Sequence, residues 1–260
     1  MDIKIEGKIA LITGAGRGLG EGICRSLARE GARIVACSRT ESDLKALLNN
    51  LGDEDNKHCY IGLDLSKKED IHKLIDFIRD NNLSPDIIVN NVGGNLGFTD
   101  PLGGVDEWHQ VMALNVEVAL ILNREFIPEM QVKKWGRICH VSSISALENQ
   151  GPPAYCAAKA ALNAYVRSLG RYVSPDNVVL TSVMPGAVFT EGGYWDMASK
   201  NRPEHVEKYL MERMAIKRFG TVEEISELVT FLCSDLSSFC IGSCFLVDGG
   251  QGKVFYPVEI

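Results

Sequence analysis

The sequence predicts an α/β protein built on one doubly wound parallel sheet of seven strands, with helices on both faces. Short apolar runs alternate with longer helical patterns along the chain, which is typical of strand–helix–strand units. A glycine-rich turn joins the first strand to the first helix. No linker, internal repeat or low-complexity tract interrupts the pattern, so we expect one domain over residues 1–260.

The elements follow one another in a regular order. The predicted strands cover residues 9–13, 34–37, 59–62, 87–90, 138–141, 179–183 and 245–247. The predicted helices cover residues 18–30, 41–51, 67–81, 106–130, 155–173 and 222–234. Right-handed crossovers place the ends of the first and fourth strands at the switch point, where a cofactor should bind. Residues 189–214 interrupt the alternation.

The turn after the first strand has the spacing of a phosphate site. Gly14, Gly18 and Gly20 form G-x-x-x-G-x-G before a helical pattern. Glycines permit a tight turn and close backbone approach, and a helix N-terminus offers free N–H groups to an anion. The spacing is neither G-x-G-x-x-G nor a P-loop. A glycine turn that binds no ligand is the alternative.

A tyrosine and a lysine four residues apart suggest acid–base chemistry. In a helix, Tyr155 and Lys159 lie on one face. An ammonium group beside a phenol lowers the pKa of the phenol, which suits a general acid or base for a carbonyl/alcohol pair. Ser143 could hydrogen-bond the same substrate oxygen. Taken alone, the Y-x-x-x-K pattern is weak and favours an ordinary surface helix.

Further motifs follow these residues in order. They are Asp64-Leu65, Asn90-Asn91-Val92-Gly93, Asn115, Pro185-Gly186 with Val188 and Thr190, Arg218-Phe219-Gly220, Glu223-Glu224 and Val247-Asp248-Gly249-Gly250. With the glycine turn and the tyrosine–lysine pair, this series resembles the short-chain dehydrogenase/reductase family. The resemblance implies a Rossmann-like fold and NAD(P)-dependent oxidation and reduction of CH–OH groups.

The resemblance also implies the site residues. The catalytic set is Ser143, Tyr155, Lys159 and Asn115, with Asn115 keeping a water beside the lysine. The cofactor-binding set is Gly14, Arg17, Gly18, Leu19, Gly20, Ser38, Arg39, Asp64, Leu65, Asn91, Gly93, Tyr155, Lys159, Pro185, Gly186, Val188 and Thr190. No metal is expected. Residues 189–214 correspond to the family's substrate lid.

The identity of the catalytic serine stays open at this point. The interval from Ser143 to Tyr155 is one residue shorter than the family's usual interval, which would lead back to Ser142. Counting forward from Gly136-Arg137 favours Ser143 and places the missing residue in the loop at 151–153. Period-two alternation puts the two serines on opposite faces, so only one can meet the substrate.

The end of the second strand predicts the cofactor. An enzyme that uses NAD usually places an acidic residue there, whereas this strand ends in Ser38 followed by Arg39. Arg17 can approach the same position from the glycine turn. Because guanidinium groups bind phosphate well, we expect a preference for NADP(H) over NAD(H). The alternative is that both arginines are solvated surface residues.

The substrate is less determined. The pocket should be formed by residues 94–98, 146–151, 187–189 and 194–197, and it contains Asn95, Glu148, Asn149 and Gln150. We expect a small polar oxo compound such as a sugar, polyol or oxo acid. A 3-oxoacyl-(acyl-carrier-protein) reductase is the alternative, although Asp176 would repel an acidic carrier; Lys133 and Lys134 weaken that objection. A non-catalytic nucleotide-binding regulator is a second alternative, which the intact catalytic set disfavours.

Composition excludes several other classes of protein. The net charge of −7 argues against nucleic-acid or anionic-membrane partners. No signal peptide or transmembrane span is evident, and the eight cysteines include no C-x-x-C pair, so we expect a cytoplasmic protein with reduced thiols. Cys24, Cys37, Cys139, Cys233 and His140 should be core residues.

Two regions point to assembly. The helices at 106–130 and 155–173 carry apolar residues on more than one face, so we expect a homotetramer or homodimer; simple core burial is the alternative. The C-terminal tail, residues 252–260, extends beyond the family's usual end and is either a frayed terminus or an arm on a neighbouring subunit.

Overall fold

The computed structural model describes residues 3–52 and 58–253. The strands are β1 (Ile9–Thr13), β2 (Arg33–Ser38), β3 (Cys59–Gly62), β4 (Ile87–Asn90), β5 (Gly136–Val141), β6 (Val178–Pro185) and β7 (Cys244–Val247). They form one parallel sheet in the order β3-β2-β1-β4-β5-β6-β7. The predicted seven-stranded doubly wound sheet is confirmed.

The helices cover both faces of this sheet. They are α1 (Gly18–Arg29), α2 (Glu41–Leu51), α3 (Lys68–Asp80), α4 (Val105–Met112), α5 (Val118–Lys133), α6 (Pro153–Val173), α7 (Tyr194–Asn201), α8 (Pro203–Arg213) and α9 (Val222–Leu232). The single helix predicted over 106–130 is instead two α-helices joined by a π-helical turn, Ala113–Glu117. Sequence periodicity missed this turn because the chain continues in helical geometry through it.

Successive side chains of a strand pack into two different hydrophobic clusters, one on each face of the sheet. Ile12 packs with α1, α2 and α9 in one buried cluster, whereas Leu11 packs with α3, α5 and α6 in the other. In β4, Val89 belongs to the first of these clusters and Ile88 to the second. Because successive strand side chains point to opposite faces, a sheet covered on both sides needs apolar residues at every position. This explains why the strands read as continuous apolar runs.

The sheet order brings the predicted switch point together. β1 lies between β2 and β4, with Ile12 opposite both Ala36 and Val89. The chain therefore leaves β1 toward one edge of the sheet, and β4 continues toward the other. The carboxyl ends of β1 and β4 diverge at this point and leave a crevice.

The segment 189–214 is more regular than its composition indicates. It contains α7 and α8, which begin directly after Gly193 and Arg202. Proline suits the first position of a helix, and Pro203 begins α8. Of the predicted tail at 252–260, Gly252 and Lys253 belong to the structure, and the rest lies outside the described residues.

Candidate active site

The glycine turn between β1 and α1 is shaped by close backbone contacts. Gly14 and Gly18 have φ angles of +67° and +57°, which favour glycine. A Cβ atom on Gly20 would lie 2.0 Å from the carbonyl oxygen of Gly14. The N-cap of α1, Arg17, makes no side-chain capping hydrogen bond. The first-turn N–H groups of α1 therefore keep the character of an anion site.

The end of β4 is tied to this turn. The Asn91 side chain donates hydrogen bonds to the carbonyl oxygens of Thr13 and Gly14, over 3.1 and 3.0 Å. The Thr13 hydroxyl accepts from the backbone N–H groups of Asn91 and Val92, both over 3.1 Å. Asn91 therefore positions the turn through its own side chain.

A cleft of about 630 Å³ extends from the turn across the ends of β2 and β3. Arg17, Ser38 and Arg39, the residues predicted to bind a phosphate, line this cleft together, and their role stays a prediction. A Cβ atom on Gly16 would lie 2.6 Å from Ser38 Oγ, so the turn and the end of β2 are in close approach. Ser38 Oγ is buried and has no hydrogen-bond partner among the described residues. Asp43, which the sequence analysis missed, lines the same region.

The other predicted residues around this cleft lie where expected. Leu65 is buried beside Asp64 at the cleft wall. The Asp64 carboxylate accepts hydrogen bonds from the backbone N–H and hydroxyl of Ser66, over 3.2 and 2.8 Å. It thereby shapes the turn after β3.

A second cleft of about 380 Å³ adjoins the first and is lined by three of the residues predicted to be catalytic. Ser143 follows β5, whereas Tyr155 and Lys159 lie on the first turns of α6. The predicted residues that line this second cleft are Arg17, Gly18, Leu19, Asn91, Gly93, Ser143, Tyr155, Lys159, Pro185, Gly186, Val188 and Thr190. The sheet edge thus brings together predicted residues from distant parts of the chain. Glu191, Gly193 and Trp195 also line it and were not predicted individually as site residues.

Lys159 is almost fully buried, with 2% of its surface exposed. Its ammonium group donates to the carbonyl oxygen of Val141 over 2.9 Å. Burial lowers the pKa of Lys159 from 10.5 to about 8, because a charged group is disfavoured away from water. Lys159 can therefore exchange its proton near neutral pH.

The expected lowering of the Tyr155 pKa is wrong for this arrangement. Burial raises the pKa of Tyr155, and a hydrogen bond with Ser143 only partly opposes the increase. The lysine does not offset burial because its Nζ lies 5.6 Å from the centre of the Tyr155 ring and bonds to Val141. The phenol is therefore held in its protonated form.

The two serines have different surroundings. Ser142 is buried, and its hydroxyl donates to the Lys159 carbonyl oxygen over 3.3 Å. Ser143 is half-buried, hydrogen-bonds with Tyr155, and accepts a hydrogen bond from the backbone N–H of Ser145 over 3.1 Å. This geometry favours Ser143 as the residue that meets a substrate oxygen.

Asn115 lies in the π-helical turn behind the cleft. Its side-chain amide donates to the carbonyl oxygens of Gly94 and Val111, both over 2.8 Å, and accepts from Gly94 N over 3.1 Å. A Cβ atom on Gly93 would lie 2.6 Å from Asn115 Oδ1 and 2.9 Å from Lys159 Nζ. Asn115 therefore holds the backbone after β4 next to the lysine. The water that it was expected to keep stays a prediction.

Aromatic side chains pack the segment above the catalytic cleft. The Trp195 ring centre lies 4.3 Å from that of Tyr209 and 4.8 Å from that of Phe219. The carboxylate of Asp196 accepts from Gly192 N over 2.9 Å and from Lys200 Nζ over 2.8 Å. These contacts fix Trp195 against the cleft.

Comparison with known proteins agrees with this geometry. Residues 8–199 match the family described as short chain dehydrogenase. The chain is a short-chain dehydrogenase/reductase. It is thus an oxidoreductase of a family that acts on hydroxyl and carbonyl groups.

Individual members of the family match this short-chain dehydrogenase/reductase over nearly its whole length. A 3-oxoacyl-(acyl-carrier-protein) reductase from Aquifex aeolicus is 30% identical over 253 residues, covering 96% of this chain and all of the relative. An L-sorbose reductase from Gluconobacter frateurii, solved with NADPH and L-sorbose, is 30% identical with a TM-score of 0.89, covering 97% of this chain and 99% of the other. A 3-oxoacyl-(acyl-carrier-protein) reductase from Agrobacterium tumefaciens, solved with NADP, is 27% identical with a TM-score of 0.87 and 95% coverage of each chain.

Other predicted features of this short-chain dehydrogenase/reductase concern burial. Cys24, Cys37, Cys139, Cys233 and His140 are fully buried, as predicted. Among residues 3–52 and 58–253, no helix is both long enough and apolar enough to cross a bilayer.

The buried lysine predicts a pH-dependent stability difference. The pKa of Lys159 is about 8 in the folded protein and 10.5 when the group is in water. Between these two pH values the unfolded chain binds a proton that the folded protein does not, so protonation opposes folding. The stability of the wild type relative to Lys159→Met should rise between pH 8 and pH 10.5, by at most about 3 kcal/mol. Urea unfolding of both proteins across this range measures the difference, and a difference independent of pH would contradict the prediction.

Proposed function

We propose that this oxidoreductase uses NADP(H) to interconvert a carbonyl and a secondary alcohol on a small polar substrate. The observation that carries the proposal is the meeting of Ser143, Tyr155 and Lys159 in one cleft, continuous with a cleft that ends at two arginines. The acid–base groups thus lie beside the cleft of about 630 Å³, which is large enough for part of a nucleotide.

The residues present fit a dinucleotide. The uncapped N-terminus of α1 suits its pyrophosphate, and glycine at position 16 leaves the groove open beside Ser38. The unpartnered Ser38 hydroxyl, with Arg17 and Arg39, suits a 2′-phosphate. When bound, NADP(H) supplies or accepts the hydride. Leu19, Gly93, Pro185, Gly186, Val188 and Thr190 would enclose its nicotinamide half.

Tyr155 is the proposed general acid and base. Its raised pKa keeps the phenol protonated, which is the form that can donate a proton to a carbonyl oxygen. Ser143 would hydrogen-bond the same oxygen and stabilise negative charge that develops on it. In that direction Lys159, with its lowered pKa, would relay a proton from solvent to the Tyr155 phenolate by way of a water near Asn115, and in alcohol oxidation the relay would run the other way.

The surroundings of the cleft support a polar substrate. Glu148, Asn149 and Gln150 follow the catalytic serine in the loop before α6, and Trp195 offers an aromatic face at the cleft. The cleft itself is lined by the polar residues Thr190 and Glu191 beside Trp195, and such a lining suits a hydroxylated carbon chain, because it provides both hydrogen bonds and apolar contact. The similarity to an L-sorbose reductase supports the same class of substrate.

A 3-oxoacyl-(acyl-carrier-protein) reductase remains the second candidate, supported by relatives of that name. The electrostatic objection to it is weaker than the sequence indicates. Asp176 is paired with Lys134 and accepts from Gln131 over 2.6 Å, so its charge is largely offset. A screen of sugars, polyols, oxo acids and a 3-oxoacyl thioester, followed by nicotinamide absorbance, separates the candidates. Silence across the whole panel would favour a non-catalytic nucleotide-binding regulator.

The proposal includes a homotetramer, or a homodimer, in the cytoplasm. Leu120 of α5 is 41% exposed and Val132 of the same helix is 84% exposed, whereas Val118 is buried. Val116 and Ile121 are half-buried near it. Leu162 of α6 instead faces this chain's own core, so only part of the predicted apolar surface is available to a partner.

Removing the phenol hydroxyl should abolish turnover. Tyr155→Phe deletes the transferable proton, so kcat should fall by roughly 10²–10⁴ while NADPH affinity stays near normal. Tyr172→Phe, at a site that is 78% exposed on α6, is the matched control and should keep wild-type kcat. In the same assay Ser143→Ala should reduce kcat far more than Ser142→Ala. Retained activity in Tyr155→Phe would exclude the proposed role, and the reverse serine ranking would move that role to Ser142.

The cofactor preference should depend on the end of β2. We expect wild-type kcat/KM to favour NADPH over NADH by at least about tenfold, or about 1.4 kcal/mol. Arg39→Ala removes a phosphate contact and Ser38→Asp adds a repelling charge, so both should shrink the ratio. A wild-type preference for NADH would show that Arg17 and Arg39 do not read the phosphate.

Assembly can be tested on α5. Light scattering of the wild type at micromolar concentration should give the mass of a dimer or tetramer, and Leu120→Arg should shift it toward the monomer because it places a charge in an apolar contact. Leu102→Arg, at a site that is 91% exposed outside these helices, should not shift it. A monomeric wild type would refute the predicted assembly.

A further inference from the structure

The segment after β7 turns sharply beside Gly186, a residue that lines the catalytic cleft. Gly249 and Gly250 adopt φ angles of +60° and +73°. The Asp248 carboxylate accepts hydrogen bonds from Gly250 N over 3.0 Å and from Gly252 N over 2.6 Å. The turn directs the side chain of Gln251 inward, where only 3% of the residue is exposed.

Gln251 contacts three segments of the chain, of which the one after β6 lines the cleft through Gly186 and Val188. Its Oε1 accepts from the backbone N–H of Ala187, after β6, over 2.8 Å. Its Nε2 donates to Tyr209 Oη of α8 over 2.7 Å, and to Gln150 Oε1 in the loop before α6 over 3.4 Å. The orientation of the amide is determined by Ala187, because a backbone N–H requires an acceptor.

These bonds engage both ends of the Gln251 amide. Its carbonyl oxygen accepts from the protein, and its NH₂ group donates twice to the protein. The side chain is therefore suited to joining protein elements rather than to binding a substrate.

The backbone around Gln251 is adapted to this position. A Cβ atom on Gly186 would lie 2.7 Å from Gln251 Oε1, so a larger residue there would displace the amide. The backbone N–H of Lys253 donates to the Glu148 carboxylate. The segment 248–253 is thus attached to the loop at 148–150 at two places.

We propose that Gln251 is a positioning residue that fixes α8, through Tyr209, to the loop at 148–150 and to the residues after β6. This inference rests on the proposed function, with residues 189–214 as the substrate lid that the family resemblance implies. The bond to Tyr209 links the lid to a part of the chain that does not itself carry the acid–base groups. Loss of the link should let α8 move away from the cleft without altering Ser143, Tyr155 or Lys159.

Hydrogen exchange followed by mass spectrometry tests the link without any substrate. The test variants are Gln251→Met, a near-isosteric change that removes the amide, and Tyr209→Phe, which removes one hydroxyl and keeps the ring packing with Trp195. Tyr172→Phe is the matched hydroxyl-deletion control. Amides of 203–213 should exchange faster in both test variants, by about two- to tenfold, since each variant loses the hydrogen bond between Gln251 and Tyr209. Amides of α1 should keep their wild-type rates in all three proteins.

Kinetics provide the second measurement. With the compound that the wild type reduces fastest in the screen, the test variants should raise KM by about tenfold and change kcat much less, because the lid binds substrate whereas the acid–base groups are untouched. The double variant should lose no more than Gln251→Met alone, since the two residues share one bond.

The outcomes separate this inference from the proposed function. Unchanged exchange in 203–213 for both Tyr209→Phe and a folded Gln251→Met would overturn the positioning role, whatever the activity. Faster exchange in an enzyme that reduces nothing in the screen would support the link and count against the proposed substrate class. If Gln251→Met does not fold, Tyr209→Phe alone decides.

Discussion

The Thr13 hydroxyl joins the two halves of the sheet at the point where they diverge. It is fully buried, accepts from the first two backbone N–H groups after β4, and donates to Val89 O over 3.3 Å. The glycine turn on one side and the Gly93-Gly94 backbone on the other both depend on this junction. Without it, the backbone N–H of Val92 would lose this acceptor, at a cost of about 1–3 kcal/mol, whereas Asn91 N also donates to Val89 O over 3.1 Å. Both clefts are organised around it.

Buried polar groups near the junction limit what the core can tolerate. His140 is fully buried. Its Nε2 lies 3.0 Å from Asn123 Nδ2, and its Nδ1 lies 3.2 Å from Thr181 O. Burial lowers the pKa of His140 to about 4, so the ring is neutral at pH 7. The neutral ring matters because Lys159 carries a charge nearby, and that charge also lowers the pKa of His140. His140 therefore adds no second positive charge beside the lysine.

The sequence allowed the sheet and most of the candidate site to be predicted because both follow from local patterns. β1, β3 and β4 have the predicted bounds, and for β1 and β4 the reason is that a strand buried on both faces is an apolar run with polar ends. The raised pKa of Tyr155 was not predictable, because it depends on burial and on where the Lys159 ammonium points. The contacts of Gln251 were equally hidden, as they join residues distant in sequence. The two helices within 189–214 escaped notice because their surfaces are largely polar.

The π-helical turn at Ala113–Glu117 has a consequence for how this region can change in evolution. Such a turn is equivalent to one residue inserted into an α-helix. Deleting a residue there would restore a continuous α-helix and rotate α4 against α5 by about 100°. Val111, which packs near Ala158, would then leave its neighbours, while Leu122 and Phe126 kept theirs. Length is therefore constrained more tightly than identity in this stretch, and alleles that shorten it should be rarer than those that substitute its exposed residues.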